Sequence, residues 1–529
     1  MQLPLYALDT PGNQGIGDLG DLKMIQEMVR KNQGGFVGIL PIHLLENRLP
    51  RGISPYFPLT RMLWNPIYLS LEEVFRFHGF SDDGSDLMEW CSTIDDWKKD
   101  PWIDYEKVWD FKKNFLRKIF HHFIDHESVL PSPRWNSFQT YFREEGEDLL
   151  ASSVFLFLGD LNPGNENPPS LDSSVIHNIY HTHHREVLFY AYLQWLMDSF
   201  LKLLWDGGGI LGFDLPVGTS PSGIECWLHR DVFTLSQRVG VPPDDFSPVG
   251  QNWGFSPVNP WKEREKHYTH FIQLLQKNLK YARFLRIDHL MGLCRLFWIP
   301  EGMNASQGTY VHNFFEDLLA ILAVESTRAR TTIIGEDLGT VPPEVREAMA
   351  RYRILSTRVF YFENDSSGLP RSSDHYPRES MVTLSTHDMP PLRAFMEGKD
   401  IVLRKELSIY DASFANAQWE ERKKYLHLVL SLLQREGLLS PLFFREENPP
   451  DSSVLFNALL RFLLSTPARL CVVNLDDLFG NNIQPNLPGT TTEYPNWRHR
   501  DKVNPKDLEE KIRYIGQLFE KQADISLNE

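Results

Sequence analysis

The sequence predicts an α/β fold, a (β/α)8 TIM barrel with large inserted helical and loop subdomains over its C-terminal face. Eight short apolar runs end in polar or Gly/Pro-containing loops, and most are followed by helix-patterned segments, the signature of parallel βα units. Carboxylates stand at or just past the ends of four of these runs, where a barrel carries its chemistry. A long stretch between the second and third runs is too ordered in composition to be a linker.

In chain order the expected strands are Pro4 to Leu8, Gly35 to Ile42, Gly209 to Val217, Phe284 to Leu290, Thr331 to Leu338, Arg358 to Phe362, Met381 to Thr386 and Arg469 to Leu475. Residues 1–70 hold the first barrel strands and a helix. Residues 71–204 form a mainly helical insertion, with Trp- and Phe-rich helical stretches such as Tyr105 to Phe123 and Arg185 to Leu204. The third strand and its loop occupy 205–226. The Pro-, Gly- and aromatic-rich segment 227–268 is expected to be a loop subdomain that overhangs the barrel mouth and covers the active site. The rest of the barrel fills 269–520, and the short tail 521–529 is expected to fray.

Of the 529 residues, 42% are hydrophobic and 23% charged, enough apolar material for a sizeable core. A net charge of −16 with no basic stripe opposes a nucleic-acid partner or an anionic membrane. Cys91, Cys226, Cys294 and Cys471 lack the paired spacings of zinc or redox sites and read as buried free thiols of a reducing compartment. Met1 to Thr10 lacks the charged start and apolar run of a signal peptide, and no stretch reaches the roughly 18 apolar residues of a membrane span, so a cytoplasmic protein is expected.

The strand-end carboxylates are Asp214 in GFDLP, Asp288 in RIDH, Glu336 and Asp337 in GEDLG, and Asp388 in STHD. Barrel geometry brings such positions to one pocket although they are far apart in sequence. Converging carboxylates without a Cys/His cluster suit either a hard cation or the acid/base pair of glycosidic cleavage. Arg286 and His289 flank Asp288, and His387 precedes Asp388. An arginine keeps a neighbouring nucleophile ionised and histidines donate to hydroxyls, which favours a sugar over Mg²⁺. Tyr56 in SPY and Trp253 in GQNWG are the aromatics best placed to stack on sugar rings, whereas Trp64, Trp298 and Trp497 read as structural.

Longer strings carry a resemblance. GNQGIGDLGDL from Gly12, ISPYFPLTRMLWNP from Ile53, PPDDFSPVGQNWG from Pro242, RIDHLMGLCRLFWIP from Arg286, GEDLGTVPPEV from Gly335, STHDMPPLR from Ser385 and LPGTTTEYPNWRHR from Leu487 run nearly end to end. Together they resemble the amylomaltases, the 4-α-glucanotransferases also known as disproportionating enzymes. The resemblance implies that Asp288 is the nucleophile, Glu336 the general acid/base and Asp388 the transition-state stabiliser. It implies that Arg286, His387 and Asp214 line the donor subsite, that Asp244, Gln251 and Trp253 belong to a glucan-guiding loop, and that Tyr56 contacts substrate.

The activity so implied is transfer of an α-1,4-glucan segment to the 4-hydroxyl of glucose or a maltodextrin, with retention and without a metal or organic cofactor. Donors would be maltodextrins, glycogen or starch, with no nucleic acid and no membrane involved. After Pro216 the chain reads VGTSPSGIECW where relatives carry a more polar stretch, a departure that bears on contacts made by that loop. An α-glucan hydrolase with the same carboxylates, a glucan-binding protein without turnover and a metal-dependent barrel hydrolase are the alternatives.

Overall fold

The computed structural model describes residues 1–79, 94, 96–129, 132–161, 171–243, 249–440 and 450–528, with side chains described as far as Glu520. Eight parallel strands form the barrel: β1 (Gln2–Leu3), β2 (Val37–Ile39), β3 (Leu211–Leu215), β4 (Phe284–Ile287), β5 (Thr332–Gly335), β6 (Leu355–Val359), β7 (Ser380–Thr383) and β8 (Leu470–Cys471). Each pairs with the next in that order. The seam closes where the Gln2 N–H donates to the Val473 carbonyl at 2.8 Å and Gln2 bridges Asn474 in parallel.

Two strands sit upstream of where the apolar runs place them. The run Pro4 to Leu8 follows β1 as a 3-10 turn, Leu5–Ala7, because proline brings no N–H to a ladder. Leu8–Asp9 then pairs with Asp501–Lys502 in a ladder of its own. The sixth strand is Leu355–Val359, and Phe360–Phe362 turns away into a second core. There Phe360 meets Phe462 edge-on and Tyr361 stacks on Phe395 with ring centroids 4.2 Å apart. A short apolar run marks burial, and burial is available off the strand as well as on it.

Between β2 and β3 the described residues include helices Leu71–Phe77, Tyr105–Glu127, Pro133–Leu161, Ser173–Thr182 and His184–Asp206. Asp104 begins the second by accepting the Lys107 N–H at 3.1 Å. Phe120, Phe123, Phe138, Tyr192 and Trp195 pack into a continuous aromatic core between these helices, each ring contributing roughly 1.5–3 kcal/mol by burial. Lys112, fully buried, donates to the carbonyls of Ile67 and Leu69 at 2.8 and 2.9 Å and so ties the helices to the barrel.

The segment after β3 is more regular than its composition suggests. Gln237–Val241 and Gln251–Asn252 join Arg295–Pro300 and Thr309–His312 in a four-stranded antiparallel sheet. Gly240 is required there, since a Cβ would lie 2.0 Å from the Gln251 carbonyl oxygen. The last helix is Pro505–Asn528; the side chains of 521–529 lie outside the described residues. Cys226, Cys294 and Cys471 are free, and Cys91 lies outside the described residues. Among the described residues no helix is long and apolar enough to cross a membrane.

Candidate active site

Strand register assembles the centre. Asp214 and Arg286 are lateral partners on β3 and β4, and Asp288 stands two residues past Arg286, on the same face of the extended chain. One guanidinium nitrogen, Arg286 Nη1, therefore reaches Asp214 at 2.7 and 2.9 Å and Asp288 at 2.9 Å. Asp214 is buried, so its charge is tolerable only because it is paired. The two aspartates in turn hold the guanidinium firmly charged.

Tyr56 donates its hydroxyl to Asp214 at 2.8 Å and stacks on His387, ring centroids 4.6 Å apart. Trp497 backs both rings at 5.6 Å. It is buried, in keeping with a structural part, yet it fixes two site residues. His387 leads to Asp388, which is exposed on the loop after β7. Asn486 Nδ2 donates to Asp388 Oδ1 at 2.6 Å, and Gln484 donates to the Asp388 carbonyl at 2.8 Å.

Glu336 follows β5 directly. Its carboxylate accepts the backbone N–H groups of His289 at 2.9 Å and Leu338 at 2.6 Å. Burial, and then the nearby charge of Asp288, push its carboxyl up to about 7; Arg286 and the two N–H donors pull the other way and lose. His289 takes the left-handed backbone, φ 47°, which is rare for a non-glycine residue and aims its N–H at Glu336. Burial lowers the pKa of its imidazole.

Trp253 meets the His289 ring edge-on at 5.3 Å, and its Nε1 donates to Gln251 at 3.1 Å, so the antiparallel sheet brings both residues to the rim. An apolar cavity of about 120 Å³ lies between that sheet and the strand ends, lined by Phe255, Leu296, Asp288 and His289 among others. Asp244 lies outside the described residues. Asp337 faces away, accepting the Thr357 N–H at 2.8 Å and pairing with Arg358 at 3.2 Å, and so ties β5 to β6.

The structure thus brings Tyr56, Asp214, Arg286, Asp288 and His387 into one chain of contacts, with Glu336, Gln251 and Trp253 joined through His289 and Asp388 beside His387. Asn486 and Gln484 were not foreseen; they precede the LPGTTTEYPNWRHR string, and nothing local marks them as partners of Asp388. One carboxylate, Asp288, is thus ion-paired, while the carboxyl of the other, Glu336, is pushed up to about 7.

Residues 3–504 match the model of glycoside hydrolase family 77, described as 4-alpha-glucanotransferase. The chain belongs to this family. Among its relatives is a 4-alpha-glucanotransferase of Haemophilus influenzae, 33% identical over 94% of this chain and 74% of that protein. One of Mycobacterium tuberculosis is 31% identical over 94% of this chain and 70% of that protein. An amylomaltase from Corynebacterium glutamicum superposes with a TM-score of 0.87 at 27% identity, covering 98% of this chain and 74% of that one. One from Streptococcus agalactiae, solved with acarbose, shares the fold with a TM-score of 0.75 at 18% identity. As a member of glycoside hydrolase family 77 the protein is a 4-alpha-glucanotransferase enzyme acting on α-1,4-glucans, and neither the hydrolase nor the binding-protein alternative is favoured.

Proposed function

We propose that transfer proceeds by double displacement, with Asp288 as nucleophile, Glu336 as acid/base and Asp388 as stabiliser of the cationic sugar. The observation that carries this reading is the contrast between Asp288, ion-paired to Arg286 at 2.9 Å, and Glu336, partly buried and clamped by two backbone N–H groups, its carboxyl pushed up to about 7. Asp288 attacks the anomeric carbon as the glycosidic C–O bond breaks, and Glu336 gives its proton to the departing oxygen. Forming the ester removes the Asp288 charge, which lowers the Glu336 pKa and fits it to take a proton next. The 4-hydroxyl of an acceptor sugar then loses its proton to Glu336 and displaces Asp288, and two inversions give net retention. The chain's own carboxyl groups handle every proton and bond, so the scheme calls for no metal or organic cofactor.

Asp214, Arg286, Tyr56 and His387 line the donor side in this reading. Gln251 and Trp253, with Asp244 on the same segment, contact glucan at the rim, and the 227–268 segment covers the intermediate against water. Donors are maltodextrins, and acceptors are glucose or shorter maltodextrins. The free cysteines support a cytoplasmic setting.

Maltotriose tests the scheme. Transfer conserves the number of linkages, so glucose should appear together with a ladder of longer maltodextrins and no rise in reducing ends. Products confined to glucose and maltose would overturn it.

A further inference from the structure

Away from the glucan site, Asp476, His499 and Asp501 converge where the first and last barrel strands meet. Asp476 lies on the short helix Leu475–Phe479 after β8, and Asp501 lies on the strand paired with Leu8–Asp9. Their donor atoms all fall within 4.8 Å of one another. His499 is 1% exposed and Asp501 9%. His499 Nε2 and Asp501 Oδ2 are buried without a hydrogen-bond partner among the described residues. Nε2 lies 3.4 Å from Asp501 Oδ2 and 3.7 Å from Asp476 Oδ1, outside hydrogen-bond geometry in both cases.

We propose that these three residues form a structural site for a zinc-like divalent ion that staples the barrel seam. Two buried carboxylates beside an imidazole need a positive charge between them. A proton on Nε2 would supply one through the ion-pair contacts at 3.4 and 3.7 Å, but neither contact is aligned as a hydrogen bond. Zinc bonds of about 2.0–2.2 Å at a tetrahedral centre set neighbouring donors about 3.4 Å apart, close to the 3.4 and 3.7 Å between His499 Nε2 and the two carboxylates, and a water would be the fourth donor. The surroundings also suit a metal. Asn481 Nδ2 donates to Asp476 Oδ1 at 3.0 Å and to Asp501 Oδ1 at 2.8 Å, orienting both carboxylates. His499 Nδ1 lies 3.3 Å from the Tyr6 hydroxyl, so the imidazole can donate there and turn the Nε2 lone pair into the cluster.

The seam is thin, because β1 and β8 are two-residue strands and β1 meets the chain only past β8, at Val473 and Asn474. The segment running to His499 also carries Asn486 and Trp497, which steady Asp388 and Tyr56. A buried ion would be captured during folding.

The test is the zinc content of the full chain purified from zinc-supplemented cells, by mass spectrometry after gel filtration. The exposed, stacked pair His122 and His126 could hold zinc weakly, so the His122→Ala/His126→Ala variant is the control. We expect one equivalent in the wild type and the control, and its loss in His499→Gln and in Asp501→Asn. Because either variant could fail to fold, the wild-type chain made with cobalt instead provides a second reading, the visible absorption of a four-coordinate ion with nitrogen and oxygen donors. The proposal is overturned by zinc that survives both variants, by a wild type that retains none, or by cobalt protein without that absorption; the last two results would leave a protonated His499 as the internal counter-charge.

Discussion

The strand-borne half of the site and its loop-borne half are held in place by different forces. Asp214, Arg286 and Asp288 owe their positions to backbone register, and Glu336 is clamped by two backbone N–H groups. Asp388 is exposed on a loop and is steadied by the side chain of Asn486, 98 residues further along the chain. The proposed nucleophile and acid/base are therefore set by geometry that few single substitutions disturb. The proposed stabiliser and the glucan-contacting rim depend on contacts that one substitution removes.

The sharpest way to break this comparison is Asp288→Asn. The amide is nearly isosteric but cannot form the ester, so maltotriose turnover should fall on the order of 10⁴-fold or more while circular dichroism and the melting temperature change little. Near-native turnover would remove Asp288 from the mechanism.

A smaller effect follows from pH. In the proposed scheme Glu336 enters the first step protonated, so maltotriose turnover should fall about tenfold per pH unit above about 7, the value to which burial and Asp288 push it. An α-glucosyl fluoride donor needs little protonation of its leaving group, so formation of its glycosyl-enzyme should escape this alkaline loss. The sign for stability is the same. A carboxyl whose folded pKa lies above its ordinary 4.5 stabilises the fold fully below that value, and the contribution is lost as pH rises through about 7. Identical alkaline limbs for both donors would assign the titration to another group.

Asn486→Ala tests the loop half directly. Losing a hydrogen bond to an exposed carboxylate should cost about 1 kcal/mol, near a fivefold fall in kcat with little change in stability. A loss as large as that of Asp288→Asn would mean that the two halves are not held differently.

The two halves were also unequally legible in the sequence. The apolar runs that contain Asp214, Asp288 and Glu336 near their ends carry both the strand and the carboxylate at its mouth, because barrel topology ties one to the other. The same runs misplaced β1 and β6, since Pro4 cannot donate to a ladder and Phe360–Phe362 found burial in another core. The antiparallel sheet beneath Trp253 has no signature in its own segment, because Gln237–Val241 pairs with Arg295–Pro300, a partner that no local pattern reveals. The left-handed turn at His289 and the reach of Asn486 to Asp388 are likewise tertiary facts. Trp497, read as structural, turned out to pack behind two site residues, and a lone tryptophan cannot announce both roles.

The finest probe of the loop half is Trp253→Ala, whose effect falls chiefly on the acceptor. The ring is partly exposed on the rim, edge-on to His289, which itself holds Glu336 through its backbone. If a glucan stacks there after the glycosyl-enzyme forms, losing part of that contact should weaken the acceptor by roughly 1 kcal/mol, about fivefold, since only some of the ring's area can be covered. Cleavage of the donor should change less, because Asp288 and Glu336 are placed by strand and backbone and do not rest on the indole. Water then takes a larger share of the intermediate, so the ratio of hydrolysis to transfer on maltotriose should rise severalfold and return toward the native value as glucose acceptor is added. A ratio that stays fixed at every acceptor concentration, in a variant with native circular dichroism, would make Trp253 a packing residue for Phe255 and His289 and leave acceptor capture to other residues of the rim.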